Sequence, residues 1–157
     1  MKLRLAGLVA LVLLAAGTSQ AQIGEKTRVA DFMYGSPVAI GKDSAGFVQR
    51  AYRRGGRDII ATVVDGVIKR MVFRKFGGKA FNYNELKTIA RREGVVASKN
   101  NRLPKEGQAW LVKGGKDVTR AVYDPEAKTF TITRDSYYKA RDQRMQSPAP
   151  ENKQPGH

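Results

Sequence analysis

The stretch DIIATVVDGVIKRMVF, residues 58–73, determines how the first half of this chain folds. Two runs rich in β-branched residues meet at Asp65-Gly66, which is the strongest short-range signal for a β-hairpin. A type I′ turn needs positive φ at both central residues, and Asp-Gly supplies it at little steric cost. The stretch therefore predicts two antiparallel strands joined by a two-residue turn.

The turn also predicts which residues lie opposite each other, because side chains alternate between the two faces of a strand. One face would hold the pairs Val64/Val67, Thr62/Lys69, Ile60/Met71 and Asp58/Phe73, and the other Val63/Ile68, Ala61/Arg70, Ile59/Val72 and Arg57/Arg74. The first face carries the larger residues, so we assign it to the core. The second face would then present Arg57, Arg70 and Arg74 among aliphatic side chains.

Before the hairpin, the sequence predicts a short helix, a loop and a strand. Thr27 is placed to cap the helix, whose apolar side would consist of Val29, Phe32 and Met33. Gly35 and Pro37 end that helix. Residues 40–46 are expected to form a loop, and residues 47–54 a strand that ends at Gly55-Gly56.

The clearest helix signal follows the hairpin, in residues 81–94. Asn82 is the expected N-cap and Glu85 its capping-box partner, with Phe81 and Leu86 at the hydrophobic-staple positions. Gly94 ends the helix. The buried stripe would consist of Leu86, Ile89 and Ala90.

The second half of the chain repeats the pattern of strands followed by a helix. Residues 108–113 have strand character, and residues 119–134 predict a second hairpin with its turn at 124–128. In that hairpin Phe130 and Ile132 alternate with threonines, which predicts one buried and one solvated face. Asp135 is placed to cap a terminal helix.

These elements predict the α+β class: a small antiparallel sheet of hairpins packed against a few short helices. Gly35 and Gly94 are 59 residues apart, and so are Asp65 and Asp124. This spacing suggests two α-β-β-β repeats followed by a final helix.

The order of elements from residue 29 to residue 94, with its turn residues Tyr34-Gly35, Pro37 and Asp65-Gly66, resembles small bacterial envelope domains that carry signal peptides and have no characterised function. It is also similar to the helix-then-hairpin units of the β-lactamase-inhibitor-protein-like fold. The resemblance implies a fold and transfers no functional residue, because turn residues specify backbone shape.

The N-terminal sequence MKLRLAGLVALVLLAAGTSQAQ has a basic start, an apolar run and small residues at the expected cleavage positions. It predicts a signal peptide over residues 1–21, cleaved after Ala21. One α+β domain over residues 22–145 would follow, and then a disordered Pro-rich tail over residues 146–157. The mature protein is expected to be soluble and either periplasmic or extracellular.

The charge is extreme for a chain of 157 residues: 29 Lys and Arg against 14 Asp and Glu give a net charge of +15. Such a chain is expected to bind anionic material, namely an anionic envelope polymer, lipid head groups or an acidic protein. Nucleic acid is not an expected partner, because an exported protein seldom meets it. The absence of cysteine excludes both disulfides and a lipoprotein anchor.

Catalytic chemistry has few candidate residues. The single histidine is His157, and without cysteine the sequence offers neither a Ser-His or Cys-His pair nor a His-based metal site. We therefore predict no catalytic residue, no metal and no cofactor. The alternative is a small carboxylate-based hydrolase of an envelope polymer. It would depend on a pair of carboxylates from among Asp58, Asp65, Asp124 and Asp135.

The predicted binding site is therefore a basic surface on the first strands, and the protein would be a non-catalytic exported envelope module for binding or structure. The candidate partner-binding residues are Arg50, Tyr52, Arg54, Arg57, Arg70 and Arg74. An arginine-rimmed apolar patch is typical of partner sites. Two alternatives stay open: the charge serves solubility alone, or the second half of the chain covers the aliphatic residues.

Overall fold

The computed structural model describes residues 23–95, 110–114 and 117–147. The predicted signal peptide, most of the connection after the second helix and the tail beyond residue 147 lie outside these residues. The elements in chain order are α1 (Thr27–Tyr34), β1 (Ala39–Lys42), β2 (Val48–Arg54), β3 (Arg57–Val64), β4 (Val67–Lys75), a 3-10 turn (Phe76–Gly78), α2 (Tyr83–Arg92), β5 (Trp110–Gly114), β6 (Asp117–Asp124), β7 (Thr129–Arg134) and α3 (Asp135–Gln146).

All seven of these strands form one antiparallel sheet in the order β1-β2-β3-β4-β7-β6-β5. The predicted α+β class with a sheet of hairpins is confirmed. The order of a helix followed by strands occurs twice: α1 precedes β1–β4, and α2 precedes β5–β7. The two halves join where β4 pairs with β7.

The helices pack on both faces of the sheet. We call the face packed against α1 and α2 the front face, and the face that contacts α3 the back face. The front face holds the main core, in which Leu86 and Ile89 of α2 join Ile59, Met71 and Phe73 of the hairpin. The back face has a smaller core that consists of Ala45, Phe47, Val64 and Tyr137.

The Asp65-Gly66 turn is confirmed, since φ is 52° at Asp65 and 75° at Gly66. The predicted pairing is correct only next to the turn, because a β-bulge lies between Thr62 and Val63 and shifts the register by one residue. Lys69 has no partner residue across the hairpin.

The predicted face assignment is therefore wrong for most of β3. Ile59 pairs with Phe73 and Ala61 with Met71, and all four side chains lie in the front core. The bulge lets β4 bury Ile68 on the same side as Met71, although these two residues are an odd number of positions apart.

The first helix and the segment after it also differ from the prediction. Lys26 is the N-cap of α1, and Thr27 is its first helical residue. The helix buries Ala30 and Tyr34, whereas Phe32 is 75% exposed on the opposite side. The expected loop at residues 40–46 begins as strand β1, which pairs with β2 at the edge of the sheet.

The predictions for the faces of the second hairpin and for the cap of the terminal helix are partly wrong. Phe130 and Ile132 are buried as expected, but Thr129 and Thr133 are also buried, because β7 is a central strand with α3 beside it. Asp135 is the first residue of α3 rather than its cap, and Arg134 is the N-cap.

Among the described residues, no helix is long and apolar enough to span a bilayer.

The capping box of α2 is confirmed. The backbone N–H of Glu85 donates to Asn82 Oδ1 over 3.0 Å, and Glu85 Oε2 accepts from the backbone N–H of Asn82 over 2.8 Å. The predicted buried stripe and the end at Gly94 are also observed.

Replacing Asn82 by alanine should lower the free energy of unfolding by about 1 kcal/mol, because one backbone donor of the first turn loses its acceptor. Denaturant unfolding of the two proteins measures the loss. Asn84→Ala is the matched control, since Asn84 is exposed in the same turn and its side chain accepts no capping hydrogen bond. Equal midpoints for Asn82→Ala and Asn84→Ala would contradict the capping role.

Candidate anion-binding face

The six predicted site residues divide between the two faces of the sheet. Arg50, Tyr52 and Arg54 lie on the front face, as shown by the pairing of Arg50 with Ala61 and of Tyr52 with Ile59. Arg57, which pairs with Arg54, shares that face. Arg70 and Arg74 lie on the back face. The expectation that Arg57 shares a face with Arg70 and Arg74 is thus wrong, because the bulge shifts β4 relative to β3.

On the front face, Arg50 and Tyr52 form a cluster with Asp31 of α1. Arg50 Nη2 donates to both carboxylate oxygens, at 2.8 and 3.0 Å, and the Tyr52 hydroxyl donates to Asp31 Oδ1 over 2.8 Å. Tyr52 is fully buried, and its burial, together with its hydrogen bond to Asp31, raises its pKa to about 12. This cluster attaches α1 to the sheet, and Tyr52 is not accessible to a partner.

Arg54 also serves to hold α1, since its Nη1 donates to the backbone carbonyl of Met33 near the end of the helix. Arg57 lies opposite Arg54, on the neighbouring strand β3, and is half-buried. The front-face arginines therefore have structural contacts or limited exposure. Asp31, which sequence analysis did not single out, is the residue that binds two of the predicted site residues.

The back face brings three rows of side chains together across strands β2, β3, β4, β7 and β6. The middle row is largely apolar and consists of Ala51, Ile60, Val72, Thr131 and Val122. One flanking row contains Arg53 and Arg74, and the other contains Arg70 and Arg120. We call the four arginines with Ile60, Val72 and Val122 the arginine face.

The arginines of this face differ in how they are held. Arg53 is 63% exposed, forms an ion pair with Asp58 at 3.0 Å and lies over the ring of Phe76. Arg120 forms an ion pair with Asp135 at 2.7 Å on the surface. Exposed pairs of this kind contribute little to stability and can exchange partners.

The two arginines of β4 have no carboxylate within 4 Å among the described residues. The Arg70 guanidinium lies 5.9 Å from the centroid of the Tyr137 ring, where α3 borders the face. Arg74 is exposed and forms no ion pair among the described residues, although Asp58 lies opposite it on the neighbouring strand. Val72 lies between them on the same face.

The arginine face combines guanidinium groups with an apolar row, a combination suited to anionic groups. Guanidinium groups bind carboxylate and phosphate oxygens through paired hydrogen bonds, and the apolar row supplies a dry surface beside them. The four candidate carboxylates have separate roles: Asp58 and Asp135 pair with arginines, Asp124 accepts from the turn backbone, and Asp65 forms the first turn. Among the described residues, no group of three metal-ligating side chains occurs, and no observation favours the hydrolase alternative.

A second unusual group lies in the front core. Glu93, at the C-cap of α2, is 1% exposed; its Oε1 accepts from the Tyr34 hydroxyl and, at 3.1 Å, from Arg92 Nε. Its Oε2 is buried without a partner in the described structure. Burial raises the pKa of Glu93 to about 7, against the opposing effects of Tyr34 and Arg92. No sequence pattern marks this residue as buried, because a glutamate near a helix end is normally solvated.

No protein-family model and no curated protein matches the sequence. Among solved structures, the chain is similar to a cysteine-rich secretory protein from Staphylococcus aureus subsp. aureus Mu50, with a TM-score of 0.44 and 11% identity over 73% of this chain and 45% of that one. It is also similar to an extracellular protein containing a SCP domain from Bacillus anthracis str. Ames, with a TM-score of 0.46 and 11% identity over 80% and 48%. The chain thus spans less than half the length of each, and both likenesses are too distant to support an argument about function.

Proposed function

We propose that this protein is an exported, non-catalytic envelope module that binds an anionic polymer through the arginine face. The observation that supports the proposal is the placement of Arg70 and Arg74 on one sheet face, on either side of Val72, with no carboxylate within 4 Å of either in the described structure. The predicted leader and the net charge of +15 support export and an anionic partner.

The shape of the face favours a linear polymer over a compact ligand. Its apolar row crosses five strands, which corresponds to a length of about 19 Å at the usual strand spacing. Cationic side chains flank this row on both sides, so an extended chain with repeated negative charges could contact several arginines at once. Lipid head groups and acidic proteins offer the same charges and are separate outcomes of the test.

Reversing the charge at Arg74 should weaken binding to a polyuronate by about tenfold and reduce the salt dependence of the affinity, because an attraction becomes a repulsion. Binding is measured by titration of the exported protein at two salt concentrations. Arg74→Glu should change the free energy of unfolding by no more than about 0.5 kcal/mol, since the side chain is exposed.

The matched control is Lys79→Glu, which makes the same charge change at an exposed lysine outside the arginine face. Its affinity should fall much less than that of Arg74→Glu. Equal losses in the two variants would show that net charge alone drives binding and would contradict the proposal. Tighter binding to phosphatidylglycerol vesicles or to an acidic protein than to the polyuronate would also contradict it.

A further inference from the structure

An open groove of about 480 Å³ lies at the end of the sheet that carries the Asp65-Gly66 turn. Its volume falls within the usual range for small-molecule sites. Three cationic side chains from three different elements line it: Lys42 at the end of β1, Arg50 on β2 and Arg144 in the last turn of α3. It is distinct from the arginine face, with which it shares no residue.

Two of these cations are held in place by contacts with neighbouring side chains. Arg50 uses its Nε and Nη2 atoms to bind Tyr52 and Asp31, which leaves its Nη1 without a partner among the described residues. The Arg144 guanidinium lies 4.6 Å from the centroid of the Phe47 ring. Lys42 is exposed and has no ion-pair partner in the described part of the chain.

The loop that forms one wall is fixed by a single carboxylate. Asp43 Oδ1 accepts from the backbone N–H groups of Ala45 and Phe47, and its Oδ2 accepts from the Tyr137 hydroxyl over 3.0 Å. This network joins the β1–β2 loop to α3. It positions Phe47, and therefore Arg144, before any ligand arrives.

The remaining lining groups restrict the chemistry of the ligand. Asp65 lines the same groove and would repel a ligand that is negative on all sides, but it can accept hydrogen bonds from hydroxyl groups. The Thr27 side chain offers a further hydroxyl, and Phe47 and Val63 supply apolar surface to the lining. A suitable ligand has one anionic group, several hydroxyl groups and an apolar ring face.

We infer that the groove binds a single acidic sugar unit, with its carboxylate at Lys42 and Arg144 and its hydroxyl groups toward Asp65 and Thr27. This inference rests on the proposed function, because the sugar would be a unit of the polymer that the arginine face binds. The groove would recognise one sugar unit, whereas the arginine face would bind the repeated charges along the polymer.

The test uses D-glucuronate as the probe and follows the amide resonances of the full exported chain. Saturable shifts are expected at Lys42, Gly46 and Gly66, with neutral D-glucose binding at least about tenfold more weakly because the charge-assisted contacts are lost. The double variant Lys42→Gln/Arg144→Gln should weaken glucuronate binding by about tenfold. The matched control Lys79→Gln/Lys139→Gln removes two exposed positive charges elsewhere and should bind as the original protein does.

Asp65→Asn provides a second variant that keeps the turn, since Asn-Gly also suits a type I′ turn. Inorganic phosphate should bind the original protein more weakly than glucuronate and should gain affinity in Asp65→Asn. Phosphate or glucose binding as tightly as glucuronate, or an unchanged affinity in the double variant, would overturn the inference. If the double variant does not fold, glucuronate binding is measured with the single variant Lys42→Gln instead, because Lys42 is exposed and has no partner in the described structure.

The two proposals fail in different ways. Polyuronate binding that depends on Arg74, without saturable glucuronate binding, would overturn the groove inference and leave the proposed function standing. Saturable glucuronate binding with no effect of Arg74→Glu on the polymer would overturn the arginine face instead. Absence of binding to either probe would overturn both.

Discussion

Between about pH 4.5 and about pH 7, the free energy of unfolding is expected to fall by up to about 3 kcal/mol as a result of one side chain, Glu93. Burial raises the pKa of this carboxyl group to about 7 in the folded protein, whereas the unfolded chain has the ordinary value of 4.5. Below both pKa values the carboxyl group is protonated in the folded and the unfolded state, so its ionisation does not lower the free energy of unfolding. Above both values the folded state must hold a buried charge.

The sign follows from proton binding. Between the two pKa values the folded protein binds the proton and the unfolded chain releases it, so a rise in pH favours unfolding. Tyr34 does not titrate in this interval, because burial and then the Glu93 charge raise its pKa further above its usual value. The Arg92 guanidinium, whose Nε lies 3.1 Å from Glu93 Oε1, partly compensates the ionised carboxylate.

Glu93→Gln is the variant that isolates this effect, since glutamine keeps an acceptor for Tyr34 and Arg92 but cannot ionise. Urea unfolding at a series of pH values should give a flatter stability profile for the variant in this interval. Other carboxyl groups change at lower pH: the pKa of Glu85 is lowered by the Asn82 backbone N–H, and that of Asp135 by the Arg120 guanidinium. Parallel profiles for the two proteins would show that Glu93 is not the source.

Replacing Ile59 by alanine is expected to destabilise the protein by about 3 kcal/mol, because this side chain is 1% exposed in the front core and its loss leaves a cavity. Ile60→Ala, one residue further along the strand, should cost only about 1 kcal/mol, because Ile60 is half-buried on the back face. Denaturant unfolding of the two variants compares them directly.

This pair of variants tests the register of the hairpin. The regular pairing predicted from the turn places Ile60 in the core and Ile59 on the arginine side, so it predicts the opposite order of costs. A larger loss for Ile60→Ala would therefore contradict the bulge between Thr62 and Val63. The same result would remove Ile60 from the arginine face.

Part of the candidate site was predictable from the sequence. Arg70 and Arg74 are four residues apart on one strand, so alternation alone places them on the same face, with Val72 between them. Arg120 was not predicted as a member, because it joins the face only through the pairing of β4 with β7, which are distant in the chain. Arg53 was not predicted either, although it lies opposite Asp58 of the next strand across a short turn. Arg50, Tyr52 and Arg54 contact α1, and no local pattern indicated that Asp31 would bind two of them.

The local backbone follows from residues that are close in the chain: the Asp65-Gly66 turn, the Asn82–Glu85 capping box and the type of most elements. These features depend on φ preferences and on hydrogen bonds between residues at most a few positions apart. The tertiary structure alone decided which side of each strand is buried. The bulge shifts β4 so that Ile68, Met71 and Phe73 all reach the front core, and α3 buries the Thr133 side of β7. Burial is a sum over contacts with distant elements, so a shift of one residue that improves this sum overrides the pairing that a two-residue turn favours.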